Sequence, residues 1–357
     1  MKPNIPSHTE LLTLAFELTT PQTTTIYPQY TTGLHAWFLD QVRQTNPQLS
    51  QQLHDEQAEK PFTISHLEGK LTPVGTRLQL HPHHPYHWYI SALSPQLVEW
   101  LCQWLDNLPP TIELRYAPLQ IQSVTCALPP TTYQKLWQTK SSRGLSLSFV
   151  SPTSFRRKKH HFPIPLPVQV FQSYLRRWNI FSSQAFDKDD FLRWVDNHVL
   201  IVRHHLESVK VAAGKRGSVT GFTGAVEYGL TREATIKPEY VQLYKTLGKF
   251  APYCATGHKT TFGLGQTRYG WLIEDTVIDT LVTEHQLAQR IEQISNQLMK
   301  QQKRTGGTRA INVCQTRATI LAKQESGQSL REIATELDMP YETVKTYAKL
   351  AKRLLKV

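Results

Sequence analysis

Hydrophobic patterning divides residues 1–275 into two units with a similar order of elements. In the first unit, residues 12–18 alternate between apolar and polar side chains, as in a strand with one buried face, and residues 34–42 carry apolar side chains at helical spacing. Two strand candidates, a helix that begins after Ser94 and a closing strand at 112–116 complete a β-α-β-β-α-β order. This order is typical of a ferredoxin-like domain.

The second unit repeats the order loosely. Its predicted strands and helices lie at 145–150, 168–178, 199–211, 217–230, 239–250 and 269–273. We therefore predict an α+β fold, with tandem ferredoxin-like (RRM-like, βαββαβ) domains at residues 1–140 and 141–275.

The remaining predicted elements are all helical. A long polar helix and a basic linker occupy residues 276–308, and a small all-α domain occupies residues 309–357. In that domain, Ser329 and Glu332 form a capping box at the start of a short helix, and a turn through Pro340 leads into a second helix. This arrangement predicts a helix-turn-helix.

The charge balance indicates a polyanionic partner. The chain has 40 basic and 28 acidic side chains, a formal net charge of +12, which favours nucleic acid over a membrane surface. No apolar run is long enough to cross a membrane and the four cysteines lie far apart, so we predict a cytoplasmic protein without disulfides. The four histidines at 81–87 have no carboxylate or thiol nearby in sequence, so neither a metal nor a cofactor is predicted.

A glycine-rich segment at 257–265, GHKTTFGLG, lies between the last helix and the last strand of the second unit. Its glycines let backbone N–H groups approach a phosphate, while its other side chains supply charge and hydroxyl donors. Because a helix precedes it, the segment is not a P-loop. It is either a phosphate-binding loop or a plain tight turn. Its candidate RNA-binding residues are Gly257, His258, Lys259, Thr260, Thr261, Gly263 and Gly265.

A second candidate contact surface is a basic run between Phe155 and Phe162. Its charges can neutralise phosphates and the two phenyl rings can stack on bases, whereas the alternative is a solvated loop. The predicted RNA-binding residues of this run are Arg156, Arg157, Lys158, Lys159 and His160.

Four short segments occur in a characteristic order and spacing. They are GLHAWF at 33–38, FVSPTSF at 149–155, GFTG at 221–224 and the glycine-rich segment. Together they resemble the CRISPR-associated endoribonucleases that cut precursor CRISPR RNA, the sixth Cas protein family, of RAMP type. The resemblance covers about residues 10–273. It implies tandem ferredoxin-like domains that bind CRISPR repeat RNA in the cleft between them and serve a CRISPR effector complex.

The same resemblance implies a reaction without a metal ion. The 2′-hydroxyl attacks the adjacent phosphate, which leaves a 2′,3′-cyclic phosphate and a 5′-hydroxyl. A histidine on or beside the first helix commonly transfers a proton in this family, and His35 matches that position; the alternative is a helix histidine half-packed against the core. Tyr30 and Tyr27 are the candidate catalytic helpers, although tyrosines before a helix also pack.

The C-terminal helices resemble a different protein class. Ile333, Ala334, Leu337 and the segment 343–345 resemble the helix-turn-helix of sigma-factor region four. Residues 297–357 hold 12 Lys/Arg and 5 Asp/Glu, a surplus of seven positive charges. The resemblance implies contact with duplex DNA, and the alternative is a module that docks a protein subunit. The predicted DNA-binding residues are Tyr341, Glu342, Lys345 and Thr346.

Two functions of different class remain open at this point. The first is a metal-independent endoribonuclease that cleaves precursor CRISPR RNA within its repeats. The second is a non-catalytic RNA-binding or DNA-binding regulatory subunit of a CRISPR-related complex. The position of His35 favours the first.

Overall fold

The computed structural model describes residues 3–54, 59–75, 77–115, 117–139, 144–157, 160–212, 218–272, 278–301 and 308–355. The strands within these ranges are β1 (Leu11–Thr19), β2 (Thr24–Ile26), β3 (Phe62–Ile64), β4 (Thr72–Val74), β5 (Arg77–Leu80), β6 (Tyr86–Ala92), β7 (Thr111–Leu114), β8 (Ala117–Thr131), β9 (Leu145–Thr153), β10 (Phe155–Arg157), β11 (His160–Phe162), β12 (Val199–Ala212), β13 (Ser218–Leu230) and β14 (Thr267–Tyr269). The helices are α1 (Tyr30–Thr45), α2 (Pro47–His54), α3 (Pro95–Trp104), α4 (Tyr133–Gln138), α5 (Pro167–Phe181), α6 (Lys188–His198), α7 (Pro238–Cys254), α8 (Ile278–Lys300), α9 (Thr308–Glu325), α10 (Leu330–Glu336) and α11 (Tyr341–Leu355).

The first domain is an antiparallel sheet with the strand order β3-β6-β1-β8-β7. Without its outer strand β7, the order is that of a ferredoxin-like sheet, with α1 and α3 as the two crossover helices. A smaller sheet, β2-β5-β4, is inserted beside it. The predicted tandem of β-rich domains is therefore confirmed in its first member.

The predicted closing strand of this domain is wrong. Residues 111–114 form β7 at the outer edge of the sheet, and β8 instead pairs with the central strand β1. The register of β8 on β1 shifts at three places. Such shifts break the strict alternation of apolar and polar side chains by which a strand is read from sequence, so β8 was missed.

The second domain repeats the arrangement, with the strand order β12-β13-β9-β14 and the crossover helices α5 and α7. The helix α6 is an addition that the sequence pattern did not predict. The last strand lies at Thr267–Tyr269, earlier than the predicted 269–273. The glycine-rich segment joins α7 to this strand, as predicted, and its middle forms a 3-10 turn at Thr260–Phe262.

Burial of α1 on the first sheet positions the candidate catalytic histidine. Leu34, Phe38 and Val42 are each fully buried in the first core, where they form one stripe of the helix. His35 follows Leu34 and is half-buried at the side of this stripe. The helix therefore presents His35 at the margin of the core, towards the glycine-rich segment of the second domain.

The C-terminal region is all-helical, as predicted. Two small apolar clusters hold it together, one between α8, α9 and α11 and one between α9, α10 and α11. The helix α8 lies over β12, where Glu292 pairs with Lys210. Most of the predicted basic linker lies outside the described residues, but Thr308 and Arg309 belong to α9, a helix that the sequence analysis did not single out. None of the described helices is both long and apolar enough to cross a membrane.

Candidate active site and RNA interface

His35 contacts the glycine-rich segment across the junction of the two domains. Its Nδ1 lies 2.9 Å from the carbonyl oxygen of Thr261. A carbonyl oxygen only accepts hydrogen bonds, so Nδ1 carries the proton and Nε2 of the neutral ring keeps its lone pair. The ring also stacks on Phe262, with the centroids 4.1 Å apart. Within the described part of the chain Nε2 has no hydrogen-bond partner, so it can accept a proton from a substrate.

The surroundings of His35 keep its ring neutral. Burial lowers its pKa from 6.5 to about 4, the bond to Thr261 opposes the shift, and the charges of His54 and Lys60 add to it. The sequence analysis did not single out Lys60, because nothing in the local pattern places it beside α1. The combination of a neutral imidazole and a nearby ammonium group fits proton abstraction next to a phosphate.

The two predicted helper tyrosines differ in their environment. Tyr30 is buried, and its hydroxyl oxygen accepts the backbone N–H of Leu67 at 3.0 Å. Tyr27 is half-buried, and its hydroxyl accepts from Arg77 Nη2 at 2.9 Å and donates to Glu332 Oε2 at 3.2 Å. Tyr30 therefore fastens the start of α1 to the first domain, whereas Tyr27 lies in a polar contact with the C-terminal helices.

A buried arginine on α5 holds the glycine-rich segment in place. The side chain of Arg177 is 4% exposed and pairs with Glu59 at 2.9 Å. Its guanidinium donates to the carbonyl oxygens of Ala255 and Gly257, each at 3.1 Å, and to Thr260 Oγ1 at 3.2 Å. One rigid fork of donors thus fixes both ends of the turn that leads to Thr261.

The glycines of this segment serve close packing. Gly257 and Gly265 both have left-handed backbone angles. A Cβ atom at Gly257 would lie 2.4 Å from the carbonyl oxygen of Ser154, and one at Gly265 would lie 2.0 Å from the carbonyl oxygen of Thr256. Their N–H groups are already bound, that of Gly257 to Ser173 Oγ and that of Gly265 to the Pro152 oxygen. At these two positions the expectation that the backbone offers free N–H groups to a phosphate is therefore wrong.

The side chains of the segment meet the basic run in one cluster. Burial lowers the pKa of Lys259, and the charge of nearby Arg156 lowers it further. The rings of His161 and His258 lie 5.9 Å apart beside them. Burial and the neighbouring cations lower the pKa of His258 to about 4. Two segments that lie about a hundred residues apart in sequence thus form one positively charged surface.

This cluster contains polar atoms without partners. Ser154 Oγ, His161 Nδ1 and His258 Nδ1 are buried and make no hydrogen bond within the described ranges. Buried polar groups are normally satisfied, so unsatisfied ones next to cations suit a ligand with phosphate oxygens and hydroxyls. We name Arg156, His161, His258 and Lys259 the basic cluster.

The other predicted RNA-binding residues are distributed as follows. His160 is exposed on the hairpin of β10 and β11. Thr260 and Thr261 are buried, and Gly263 packs against Thr31 of α1. The side chain of Arg157 and the residues Lys158 and Lys159 lie outside what the structure describes.

The predicted DNA-binding residues share one surface. Tyr341, Glu342, Lys345 and Thr346 are all exposed on α11, while Val344 and Ala348 face the interior. The predicted capping box at the start of α10 is present, with Ser329 and Glu332 bonded to each other's backbone N–H groups. The face of α11 opposite the core is therefore open to a ligand.

Within the described ranges, no three His, Cys, Asp or Glu side chains converge on a point where they could hold a metal ion. The histidines at 81–87 are engaged locally: His81 bonds to Thr72 Oγ1 at 2.7 Å, and His84 accepts the N–H of Lys70 at 3.3 Å. Their clustering in sequence reflects a turn between β5 and β6.

Comparison with known proteins supplies two family models that match the chain. The model of the CRISPR Cas6 N-terminal domain matches residues 12–143, and the model of CRISPR-associated endoribonuclease Cas6 matches residues 147–267. Together they cover most of the chain and leave the helices α8 to α11 outside.

Solved structures agree with these matches. A Cas6 product complex is 27% identical with a TM-score of 0.59, over 73% of this chain and 99% of that chain. A Cas6 substrate mimic complex is 26% identical with a TM-score of 0.56, over 73% of this chain and 99% of that chain. Thermus thermophilus Cas6, 20% identical over 74% of this chain and 100% of that chain with a TM-score of 0.55, is similar in fold. No curated protein sequence matches the chain.

The matches of the tandem ferredoxin-like domains to these two models place the chain in a class of CRISPR-associated proteins. Since both domains match models of one family, the chain belongs to the CRISPR-associated endoribonuclease Cas6 family.

Arg177 supplies a direct test of how the glycine-rich segment is held. Arg177→Ala should lower the free energy of unfolding by about 3–5 kcal/mol, because it leaves two buried carbonyl groups without their donor and Glu59 with only the exposed Arg176 as a partner. The midpoint of thermal unfolding measures this loss. Arg176→Ala is the matched control, because Arg176 pairs with the same Glu59 at 2.9 Å from a side chain that is 56% exposed. Equal losses in the two variants would contradict the assignment.

Proposed function

We propose that this chain is a metal-independent endoribonuclease that cleaves precursor CRISPR RNA within its repeats. The observation that carries the proposal is the hydrogen bond from His35 Nδ1 to the Thr261 oxygen. It fixes the tautomer in which Nε2 is an acceptor, and it places that acceptor where the first domain meets the glycine-rich segment. A merely packed histidine needs neither the tautomer nor the position at the domain junction.

In the proposed reaction His35 is the general base. Its Nε2 takes the proton of a ribose 2′-hydroxyl, and the 2′-oxygen attacks the adjacent phosphorus. The bond from phosphorus to the 5′-oxygen breaks and the leaving 5′-oxygen takes a proton from water, so the products are a 2′,3′-cyclic phosphate and a 5′-hydroxyl. The proton that His35 gained returns to solvent, which restores the neutral ring. Lys60 is close enough to lower the pKa of His35 and supplies positive charge for the phosphorane. No step requires a metal ion.

The remaining predicted residues hold the RNA and the helix. The basic cluster, together with His160, binds phosphates of the repeat, while Thr260, Thr261 and the three glycines shape the turn that reaches His35. Tyr27 orients RNA beside α1, and Tyr30 is a positioning residue because its hydroxyl is bound to Leu67 N–H. The product is passed to a CRISPR effector complex.

Similar proteins support this proposal. The solved Cas6 structures include a product complex and a substrate mimic complex, and in a further structure a histidine has been replaced by alanine. A protein of the same fold and family that binds a product and a substrate mimic makes the same ligand class the first choice here. The alternative of a non-catalytic subunit does not explain why His35 Nε2 is kept as an acceptor at the junction of the two domains.

His35→Ala tests the chemistry. The variant should slow cleavage by about 10²- to 10⁴-fold, as loss of a general base does, and should still bind the RNA. The measurement is single-turnover cleavage of the repeat RNA encoded beside the gene, in EDTA, with binding measured on the same RNA. Because the neutral ring is the active form, kcat/KM of the wild type should fall only as the pH approaches the His35 pKa of about 4.

Three results would contradict this assignment. They are cleavage by the variant at the wild-type rate, an acid limb near the ordinary histidine pKa of 6.5, and wild-type activity that EDTA abolishes and a divalent ion restores. The first would make His35 a structural residue. The last would remove the metal-independent mechanism.

The basic cluster is tested by binding alone. Replacing Arg156 and Lys259 together with alanine should weaken affinity for the repeat RNA and lower its dependence on salt, by about 0.7–0.9 in the log–log slope for each lost phosphate contact. The measurement is a titration of the RNA at several salt concentrations. Arg193→Ala is the control, because Arg193 is an exposed arginine paired with Asp190 on α6. An unchanged slope in the double variant would show that the cluster is merely solvated.

A second activity is favoured by the exposed face of α11. We propose that Tyr341, Glu342, Lys345 and Thr346 contact base edges of duplex DNA, as the recognition helix of a helix-turn-helix does. The four side chains are exposed on the first turns of α11, while α10 and α9 pack on its other side. A face that served only to hold the three helices together would be apolar.

If α11 binds duplex DNA, one variant should lose DNA binding and keep RNA cleavage. Lys345→Ala combined with Lys349→Ala should weaken binding to duplex DNA and lower its salt dependence, while RNA cleavage by the same protein stays unchanged. A gel-shift titration at low salt measures the first and the cleavage assay the second. If the wild type ignores duplex DNA at low salt but captures a protein subunit, α8 to α11 form a docking module.

A further inference from the structure

Acidic side chains of α10 lie against the segment that precedes the catalytic helix. Glu332 accepts a hydrogen bond from the Tyr27 hydroxyl at 3.2 Å. Glu336 pairs with the buried ammonium group of Lys323 at 2.5 Å, and the same ammonium donates to Gln29 Oε1 at 3.3 Å. The C-terminal helices thus bring the Glu332 carboxylate to Tyr27 and the Lys323 ammonium group, paired with Glu336, to Gln29. His35 lies about 9 Å further along α1, six residues after Gln29.

Arg77 of the first domain adds a positive charge next to the contact between Tyr27 and Glu332. Its guanidinium lies over the ring of Tyr27, 4.6 Å from the centroid, and donates to the Tyr27 hydroxyl and to Thr25 Oγ1. Within the part of the chain that the structure describes, no carboxylate lies at ion-pair distance from Arg77. A half-buried guanidinium without a carboxylate partner is poised for an anion.

Two neighbours add to this preference. The Gln29 amide nitrogen is buried and makes no hydrogen bond to any described residue. The first turn of α1, which begins here, contains no acidic side chain and lacks a side-chain cap. A guanidinium, a phenol and an amide donor at the positive end of a helix are the groups that bind a phosphate.

Tyr27 cannot serve Glu332 and a phosphate at once. A phenol has one proton to donate, and in this structure that proton is directed to Glu332 Oε2. A phosphate that binds Arg77 and Tyr27 must therefore take the place of the Glu332 carboxylate. The Glu332 carboxylate is half-buried and also accepts the Ser329 N–H at 2.7 Å in the capping box of α10. Displacing it from Tyr27 is therefore a rearrangement within α10, and the apolar contacts that hold α8 and α9 do not include it.

We propose that Arg77 and Tyr27 form a phosphate-binding subsite for the repeat RNA, and that Glu332 occupies this subsite while RNA is absent. The inference rests on the proposed function, because it names a further contact of the same RNA. The subsite includes a residue of α10, which lies outside both family models. Glu332 acts as an internal competitor: its carboxylate holds the subsite in order and opposes the approach of any polyanion that does not bind strongly enough to displace it.

The test is the equilibrium affinity of variants for an RNA that cannot be cut. The probe is the repeat RNA with a 2′-deoxy nucleotide at the position that the wild type cleaves. Glu332→Gln should bind this probe about fivefold more tightly, since a unit charge at 4 Å in water is worth about that factor. Glutamine also serves at this position of a capping box, so α10 stays folded.

Controls separate this effect from a general change of charge. Glu325→Gln removes one negative charge from the same helical region, but Glu325 pairs with Arg290 of α8 at 2.7 Å, so it should leave affinity unchanged. Arg77→Ala should weaken binding and lower the salt slope by about one phosphate contact. In the Arg77→Ala background, Glu332→Gln should no longer tighten binding, because the subsite it vacates is gone.

Each outcome of these measurements either supports or overturns the proposed subsite. Tighter binding by Glu332→Gln alone, lost in the Arg77→Ala background, supports the subsite. Unchanged or weaker binding by Glu332→Gln, or an equal gain from Glu325→Gln, overturns it. Failure of the proposed function would be shown by a wild-type protein that neither binds nor cuts the repeat RNA. The variants above are compared with a wild type that does bind the RNA, so a negative result for the subsite is distinct from that failure.

Discussion

The candidate site depends on the buried guanidinium of Arg177. An ion of this size is costly to bury unless every donor has a partner, and here Glu59, two loop carbonyls and Thr260 supply them. The guanidinium therefore determines where the loop backbone lies, and the loop backbone determines where the Thr261 oxygen meets His35. A residue on α5 of the second domain thus sets the tautomer of a histidine on α1 of the first. This chain of contacts joins the two domains at the candidate site.

Sequence reasoning identified what local pattern and local motif encode. The order of strands and helices, His35 and the glycine-rich segment were all read from spacing of apolar residues or from short motifs. It missed β8, whose register shifts hide its alternation. It also missed Arg177, Lys60 and the contact of Tyr27 with Glu332, residues 305 positions apart. Contacts at such separations leave no periodic trace in a single sequence.

The glycine-rich segment shows why a motif and its mechanism have to be judged separately. Its glycines are required because backbone from Ser154 and Thr256 approaches within 2.0–2.4 Å of where a Cβ would lie. Their N–H groups are consumed by Ser173 and Pro152. The proposed phosphate contacts are therefore made by side chains around Lys259, next to Arg156, and not by the backbone of these glycines. Close packing and the proposed anion binding thus both depend on one turn.

In the helices α8 to α11, the position of each charged side chain decides which partner it can contact, and the net charge of the region does not. Glu332 and Glu336 of α10 face Tyr27 and Lys323, towards the first domain. Lys345 and Lys349 of α11 are exposed to solvent, and Lys345 pairs with the exposed Glu342 at 3.5 Å. The side towards the first domain thus offers one carboxylate, Glu332, to the phosphate subsite proposed above. The two proposals therefore use different parts of the same helices: duplex DNA on the exposed face of α11, and competition with the repeat RNA at Tyr27, without any change of fold.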